Sequence, residues 1–343
     1  MIFTEIIDIE EMDEKVRVGK IPESVLVRSV LKKVKDRREE VLIGASVGED
    51  CAVLQLKEDE VFVMSTDPIT GTTKDLGKMA VHVTANDIAS SGAEIVGIML
   101  TILLPDGAKE SDLKAMMEQM DEACEELKIQ ILGGHTEVTK AVNQPIITVT
   151  GVGKIKKDQV IVTSGAGPDQ DVVLTKWIGL EGTSIIAKEK SEELKKRYPW
   201  AFVEKAKGFD QYISVVPEAK IATKHGVSSM HDVTEGGIFG ALWELAESSG
   251  VGVDVDLKKI PVLQETIEIC EYFCINPYLL ISSGAMLMVS ERGHDLVRKL
   301  EREGIHSVVI GKTTSSHDRV VRNGEEVRYL ERPKTDELYQ VVN

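Results

Sequence analysis

The chain is poor in cysteine, with only Cys51, Cys124, Cys270 and Cys274 in 343 residues. Four scattered thiols give neither a disulfide framework nor a zinc cluster, which excludes a small stapled secreted fold. Cys270 and Cys274 stand at i, i+4, a spacing that suits two buried thiols on one helical face better than a metal pair. No apolar run reaches the roughly 18 residues needed to cross a bilayer. The first residues carry Glu5, Asp8, Glu10 and Glu11, which is not the pattern of a signal peptide, so a reducing cytoplasm is the expected compartment. Positive charge is also short: 41 Lys and Arg against 57 Asp and Glu leave a net charge of −16. A general nucleic-acid binder needs a basic face, so nucleic acid is not an expected partner. The densest basic run, Lys32-Lys33-Val34-Lys35-Asp36-Arg37-Arg38, and the smaller Lys195-Lys196-Arg197 read as solvated helix faces.

What is present is an ordinary globular composition, 42% apolar and 29% charged. Its length suits two domains. From residue 41 to 155 apolar strands alternate with amphipathic helices, the α/β or α+β pattern in which ligands gather at strand ends. The spacing predicts helices over 22–35, 76–91 and 110–127, and strands over 41–43, 51–56, 61–65, 95–104, 129–132 and 145–153. A polar stretch at 154–167 marks a boundary, giving domains 1–160 and 161–343. The second half repeats the alternation and closes with a hairpin over 320–329 on an Asn-Gly turn.

Carboxylates beside small residues recur in the first half: Val47-Gly48-Glu49-Asp50-Cys51-Ala52, Ser65-Thr66-Asp67-Pro68, Thr84-Ala85-Asn86-Asp87-Ile88 and Gly133-Gly134-His135-Thr136-Glu137. Mg²⁺ takes carboxylate, phosphate and water oxygens. Phosphates take backbone N–H groups from glycine turns and helix N-termini. Asp50, Asp67, Asp87 and Glu137 are therefore the acids expected around a magnesium–nucleotide site, with Glu49 an alternative to Asp50. Asp87 lies deep in a helix of Ala, Val and Ile, where a carboxylate is costly unless paired or metal-bound. A second strand–turn–helix occurs at His231-Asp232-Val233-Thr234-Glu235-Gly236-Gly237. His135 and His231, each followed by an acid, fit phosphate binding, general acid/base work or a packed histidine. His82 reads as structural.

These motifs, in this order over about residues 18–312, resemble the signatures of the AIR synthetase (PurM-like) superfamily. That group includes selenophosphate synthetase, thiamine-monophosphate kinase and the hydrogenase maturation factor HypE, which the N-terminal half resembles most. The resemblance implies a two-domain fold, with an N-terminal domain that completes a β-barrel across a homodimer and a C-terminal α/β domain. It implies ATP and Mg²⁺ as cofactors. By motif, Asp50, Asp67, Asp87 and Glu137 would serve metal and phosphates, and Lys20, Asn86, Gly133 and Gly134 the nucleotide. Gly236 and Gly237 would form a second anion site, and His135, His231 and Asp232 would do acid–base work. The shared chemistry is phosphorylation of an acceptor oxygen, as in a phosphotransferase or a dehydratase/ligase. The maturation factor carries its substrate on a terminal cysteine. This sequence ends Gln340-Val341-Val342-Asn343, so the expected acceptor is a separate small molecule or protein. The alternatives are a nucleotide-binding accessory protein that turns nothing over and a thiamine-phosphate-kinase-like phosphotransferase.

Overall fold

The computed structural model describes residues 19–46, 51–69, 75–332 and 335–342. Glu49 and Asp50 lie outside the described residues, and Lys20 is described in its backbone alone. Two compact units divide the chain: 1–55 with 68–80 and 98–149, and 56–67 with 81–97 and 150–343.

The first strands are β1 (Gly19–Lys20), β2 (Val41–Ile43), β3 (Val53–Leu54), β4 (Glu60–Ile69), β5 (Glu94–Pro105), β6 (Gln130–Thr139) and β7 (Ile146–Lys156). A five-stranded sheet has the order β1-β6-β5-β7-β4, and β2 pairs with β3. The later strands are β8 (Asp171–Thr175), β9 (Ser229–Asp232), β10 (Gly252–Asp256), β11 (Met286–Ser290), β12 (Ser307–Thr314), β13 (Arg319–Asn323) and β14 (Glu326–Tyr329). They form a seven-stranded sheet in the order β14-β13-β10-β12-β8-β11-β9. The mixed α/β architecture expected from the alternation is present. β13 and β14 close on Gly324, whose φ of 64° suits the Asn-Gly hairpin.

The helix Leu76–Ser90 carries Asp87, and glycines seat it. A Cβ at Gly151 would meet Thr84 Cγ2 at 2.6 Å, and one at Gly153 would meet Ile88 Cγ2 at 2.4 Å. The helix therefore lies directly on β7, as only glycine allows. The helix Glu110–Leu127 buries the predicted stripe Leu113, Met116, Met117, Met120, Ala123 and Cys124. It ends on Lys128 in the left-handed region.

Several expectations are corrected. Residues 22–35 do not form one regular helix: a short turn, Glu23–Val25, widens into a π segment, Leu26–Val30, and tightens at Leu31–Lys33. Arg28 and Ser29 both reach Glu110 here, with Arg28 Nε at 2.6 Å and Ser29 Oγ at 2.6 Å. These donors hold the Glu110 carboxyl down to about 2, the Arg28 hydrogen bond contributing most. The basic run is a solvated face only in part, at the exposed Lys32 and Lys35. Lys33 pairs with Glu118 and Arg37 with Asp121, both on the helix Glu110–Leu127. β6 runs straight through Gly133–Glu137 instead of ending before it. Gly134 has φ 150°, and a Cβ there would lie 2.1 Å from the Leu100 carbonyl oxygen. Its bare backbone permits that close pass and keeps the strand going. Cys270 is buried but Cys274 is exposed. The helix Gln264–Phe273 stops at Cys274 in the left-handed conformation, so the two thiols do not share a helical face.

Candidate active site

The second unit gathers four of the expected or neighbouring residues. β4 brings Ser65 and Asp67, spaced two apart on one side of the strand. The helix Leu76–Ser90 brings Asp87, and the end of β9 brings Asp232. Ser65 Oγ donates to Asp87 Oδ2 at 2.5 Å and approaches Asp67 Oδ2 at 3.3 Å. Asp87 is pushed up to about 8, first by burial, then by the negative charge of Asp232 and by Asp67; the Ser65 hydroxyl opposes the rise. Burial also raises the Asp232 carboxyl, which is 6% exposed. Its Oδ2 has no hydrogen-bond partner within the protein. A proton shared between Asp87 and Asp232 would relieve this site, and so would a cation.

The donor set is all oxygen, which suits a hard ion such as Mg²⁺ and not a soft metal. It is not a closed cage: no three His, Cys, Asp or Glu side chains among the described residues are arranged as a ready-made metal site. The ligands missing from such a site are the ones that water and phosphate oxygens supply around Mg²⁺.

The other predicted residues take different places. His231 precedes Asp232 on β9, and both its ring nitrogens are engaged, Nδ1 with Thr163 Oγ1 at 3.4 Å and Nε2 with Glu244 Oε2 at 3.1 Å. Asn86 is fully buried. Its Nδ2 donates to the Ile213 carbonyl and its Oδ1 accepts from the Val215 N–H, both at 2.8 Å. It is a clamp on the chain itself, shut away from solvent and from a nucleotide, because neighbours on a helix point about 100° apart and Asp87 takes the other direction. Gly236 caps the helix Gly237–Ser249 with φ 80°, but its N–H already donates to Asp336 Oδ2 at 2.7 Å. The expected second anion site is thus filled by the chain's own carboxylate. Gly237, at φ 60°, leaves room only for backbone: a Cβ would meet the Tyr278 carbonyl oxygen at 2.6 Å. In the first unit, His135 Nε2 lies 3.2 Å from Glu137 Oε2 on β6, and the backbone of Lys20 stands opposite that of Glu137 in the β1–β6 register. Gly133 is open, with nothing nearer to an added Cβ than Met99 Cε at 4.0 Å. A cleft of about 600 Å³, lined by residues including Asp254, Lys312 and Arg322, holds none of these residues.

Sequence reasoning missed the pairing of Asp232 with Asp87, because nothing in the spacing of two residues 145 positions apart announces a contact. The signal available was the burial cost of each acid.

Comparison with known proteins agrees with this layout. The profile of the AIR synthase related protein N-terminal domain matches residues 48–155, and that of its C-terminal domain matches 167–323. The carbamoyl dehydratase HypE of Cupriavidus necator is 30% identical over 275 residues, 75% of this chain and 76% of that protein. A putative hydrogenase expression/formation protein of Methanocaldococcus jannaschii is 26% identical over 313 residues, 88% of this chain and 90% of that protein. The crystal structure of the hydrogenase maturation protein HypE in complex with ATP superposes with a TM-score of 0.78 at 20% identity, over 93% of this chain and 97% of that one.

Proposed function

The chain belongs to the AIR synthase-related family, close to HypE, and we propose that it is an ATP- and Mg²⁺-dependent enzyme that phosphorylates an oxygen atom of an acceptor. One observation carries the reading: Asp67, Asp87 and Asp232 are brought together with only the Ser65 hydroxyl donating among them, to Asp87, and with Asp232 Oδ2 left without a partner. Asp87 and Asp67 would hold Mg²⁺; Asp50 and Glu137 are assigned to the metal and phosphates by the motif alone. When bound, the ion would neutralise phosphate charge that otherwise repels attack at phosphorus. Asp232, buried and raised, is suited to take a proton from an acceptor hydroxyl. His231, held by Thr163 and Glu244 on the preceding position of β9, is not assigned to the transfer itself. Lys20, Gly133 and His135 are assigned to the nucleotide phosphates by the motif alone. Phe62 and Met64 are 48% and 62% exposed on one face of β4, which supports assembly as a homodimer through that strand.

Calorimetric titration with ATP, with and without Mg²⁺, tests the reading. Magnesium-dependent binding is expected in the wild type. A wild type that binds no adenine nucleotide under either condition overturns it. The dimer is tested separately: Phe62→Glu with Met64→Lys should convert a dimeric sedimentation profile into a monomeric one.

A further inference from the structure

The strap Tyr212–Val215 leads into the helix Val216–His225 and is gripped from two sides. On one side Lys176, just past β8, donates from Nζ to the carbonyl oxygens of Tyr212 at 2.8 Å and Ser214 at 2.6 Å. The same ammonium meets Glu218 Oε1 at 2.6 Å. Both side chains are withdrawn from water, 11% and 2% exposed. On the other side stands Asn86, which grips Ile213 and Val215 as described above. Trp177 wedges the same place, edge-on to Tyr212 and stacked on His306.

Stability alone does not account for this arrangement. A buried ion pair can usually be replaced by apolar side chains at no loss, because both charges must be stripped of water. Lys176 also holds a left-handed backbone, φ 53°, which a lysine adopts at a cost. Such expenditure beside a functional group points to a geometric requirement. Glu218 sits in the first turn of its helix, where the dipole favours a carboxylate, so the pair is anchored at both ends.

We infer that Lys176 and Glu218 are positioning residues for the acid cluster. They fix the strap, the strap fixes Asn86, and Asn86 sets the rotation of its helix so that the adjacent Asp87 faces Ser65 and Asp232. Neither residue touches a ligand. The inference rests on the reading of those acids as a cation site.

The test uses the full-length chain. The double variant Lys176→Met/Glu218→Met removes both charges together and so leaves no lone buried ion. Asn86→Ala is the second variant, cutting the same linkage at its other end. Deuterium uptake is followed over residues 84–90 and 212–216, and Mn²⁺, as a spectroscopic stand-in for Mg²⁺, is titrated by electron paramagnetic resonance. The expected result is uptake about tenfold faster in both segments and Mn²⁺ binding by the folded protein weakened about tenfold, whatever the fall in thermal midpoint. A purely structural role would move the midpoint and leave the Mn²⁺ affinity of the folded protein unchanged. Faster uptake confined to 212–216, with 84–90 still protected, overturns the inference. If the wild type binds no Mn²⁺, the proposed function falls, while uptake over 84–90 still decides whether the strap orients the Asp87 helix.

Discussion

Two groups of carboxylates among the described residues are each built on buried members, Asp232 in one and Glu181 with Asp336 in the other, and they differ in what surrounds them. In the first, the Ser65 hydroxyl donates to Asp87 and approaches Asp67, and Asp232 Oδ2 has no hydrogen-bond partner. In the second, Glu181 and Asp336 are buried, and the chain's own segment 335–342 bonds to Asp336 and to the exposed Glu235. Asp336 accepts from the Gly236 N–H at 2.7 Å and the Leu338 N–H at 2.8 Å. Tyr339 Oη donates to Glu235 at 2.6 Å. Leu338 and Val341 pack into the cluster that contains Ile185 and Ile186. Glu181, 6% exposed, is pushed up to about 7 chiefly by burial. Enclosed this way, with its Oε2 also lacking a hydrogen-bond partner, Glu181 holds its proton to a higher pH than an exposed glutamate. Asp87 is only half-buried, so a cation can exchange for its proton. Acid content alone therefore does not mark a site. Acid in excess of local donors, within reach of solvent, does.

The sharpest break between the clusters should appear in ligand binding. Asp67→Asn combined with Asp87→Asn is expected to weaken magnesium-dependent ATP binding a hundredfold or more. Glu181→Gln and Asp336→Asn should leave it within twofold. Calorimetry on all four proteins decides this, and equal losses from both clusters would erase the distinction.

The pH dependence separates them next. Each raised acid binds its proton to a higher pH in the folded state than in the unfolded one. Its contribution is therefore a loss of stability as pH climbs from the unfolded pKa to the folded one. For Glu181 that window runs from 4.5 to about 7, for roughly 3 kcal/mol. For Asp87 it runs from 3.8 to about 8, for at most roughly 6 kcal/mol, a total that belongs to the coupled pair with Asp232. Urea unfolding between pH 5 and 9 should show both declines. Mg²⁺ should flatten the Asp87 part and leave the Glu181 part, and each Asp→Asn or Glu→Gln change should remove its own. A decline in the Glu181→Gln protein that Mg²⁺ does not touch would contradict the assignment.

Much of this was readable from residue order. Asp67 and Asp87 announce themselves because one follows an apolar strand and the other interrupts a buried helix. The stripe from Leu113 to Cys124 fixes its helix by period alone. What was hidden depends on long-range contacts. Asn86 looks like part of the same motif as Asp87, yet its direction on the helix hands it to the backbone at 213 and 215. Gly236 looks like a phosphate turn until residue 336, a hundred positions away, occupies its N–H. The basic run at 32–38 looks solvated because the acids that meet it sit about 85 residues on. Gly134 looks like a turn, and it is a strand residue whose missing Cβ admits the Leu100 carbonyl.

Smaller effects test how the second cluster is closed. Asp336→Ala leaves the Gly236 and Leu338 N–H groups buried without acceptors, at about 1–3 kcal/mol, and should loosen residues 335–342 to protease. Tyr339→Phe removes a single donor to an exposed carboxylate and should cost less, about 0.5–1 kcal/mol. Its pH signature differs from the acids. The Tyr339 hydroxyl is pushed up to about 12, first by its hydrogen bond to Glu235 and then by burial. The folded state favours the protonated phenol, so this contribution is fully present below pH 10 and is lost as pH rises from 10 to 12. The difference between wild type and Tyr339→Phe should therefore stay constant from pH 6 to 9, across the range where Asp87 and Glu181 titrate. If that difference instead tracks Asp87 through pH 8, the two clusters are not independent, and the contrast between an open site and a closed one has to be redrawn.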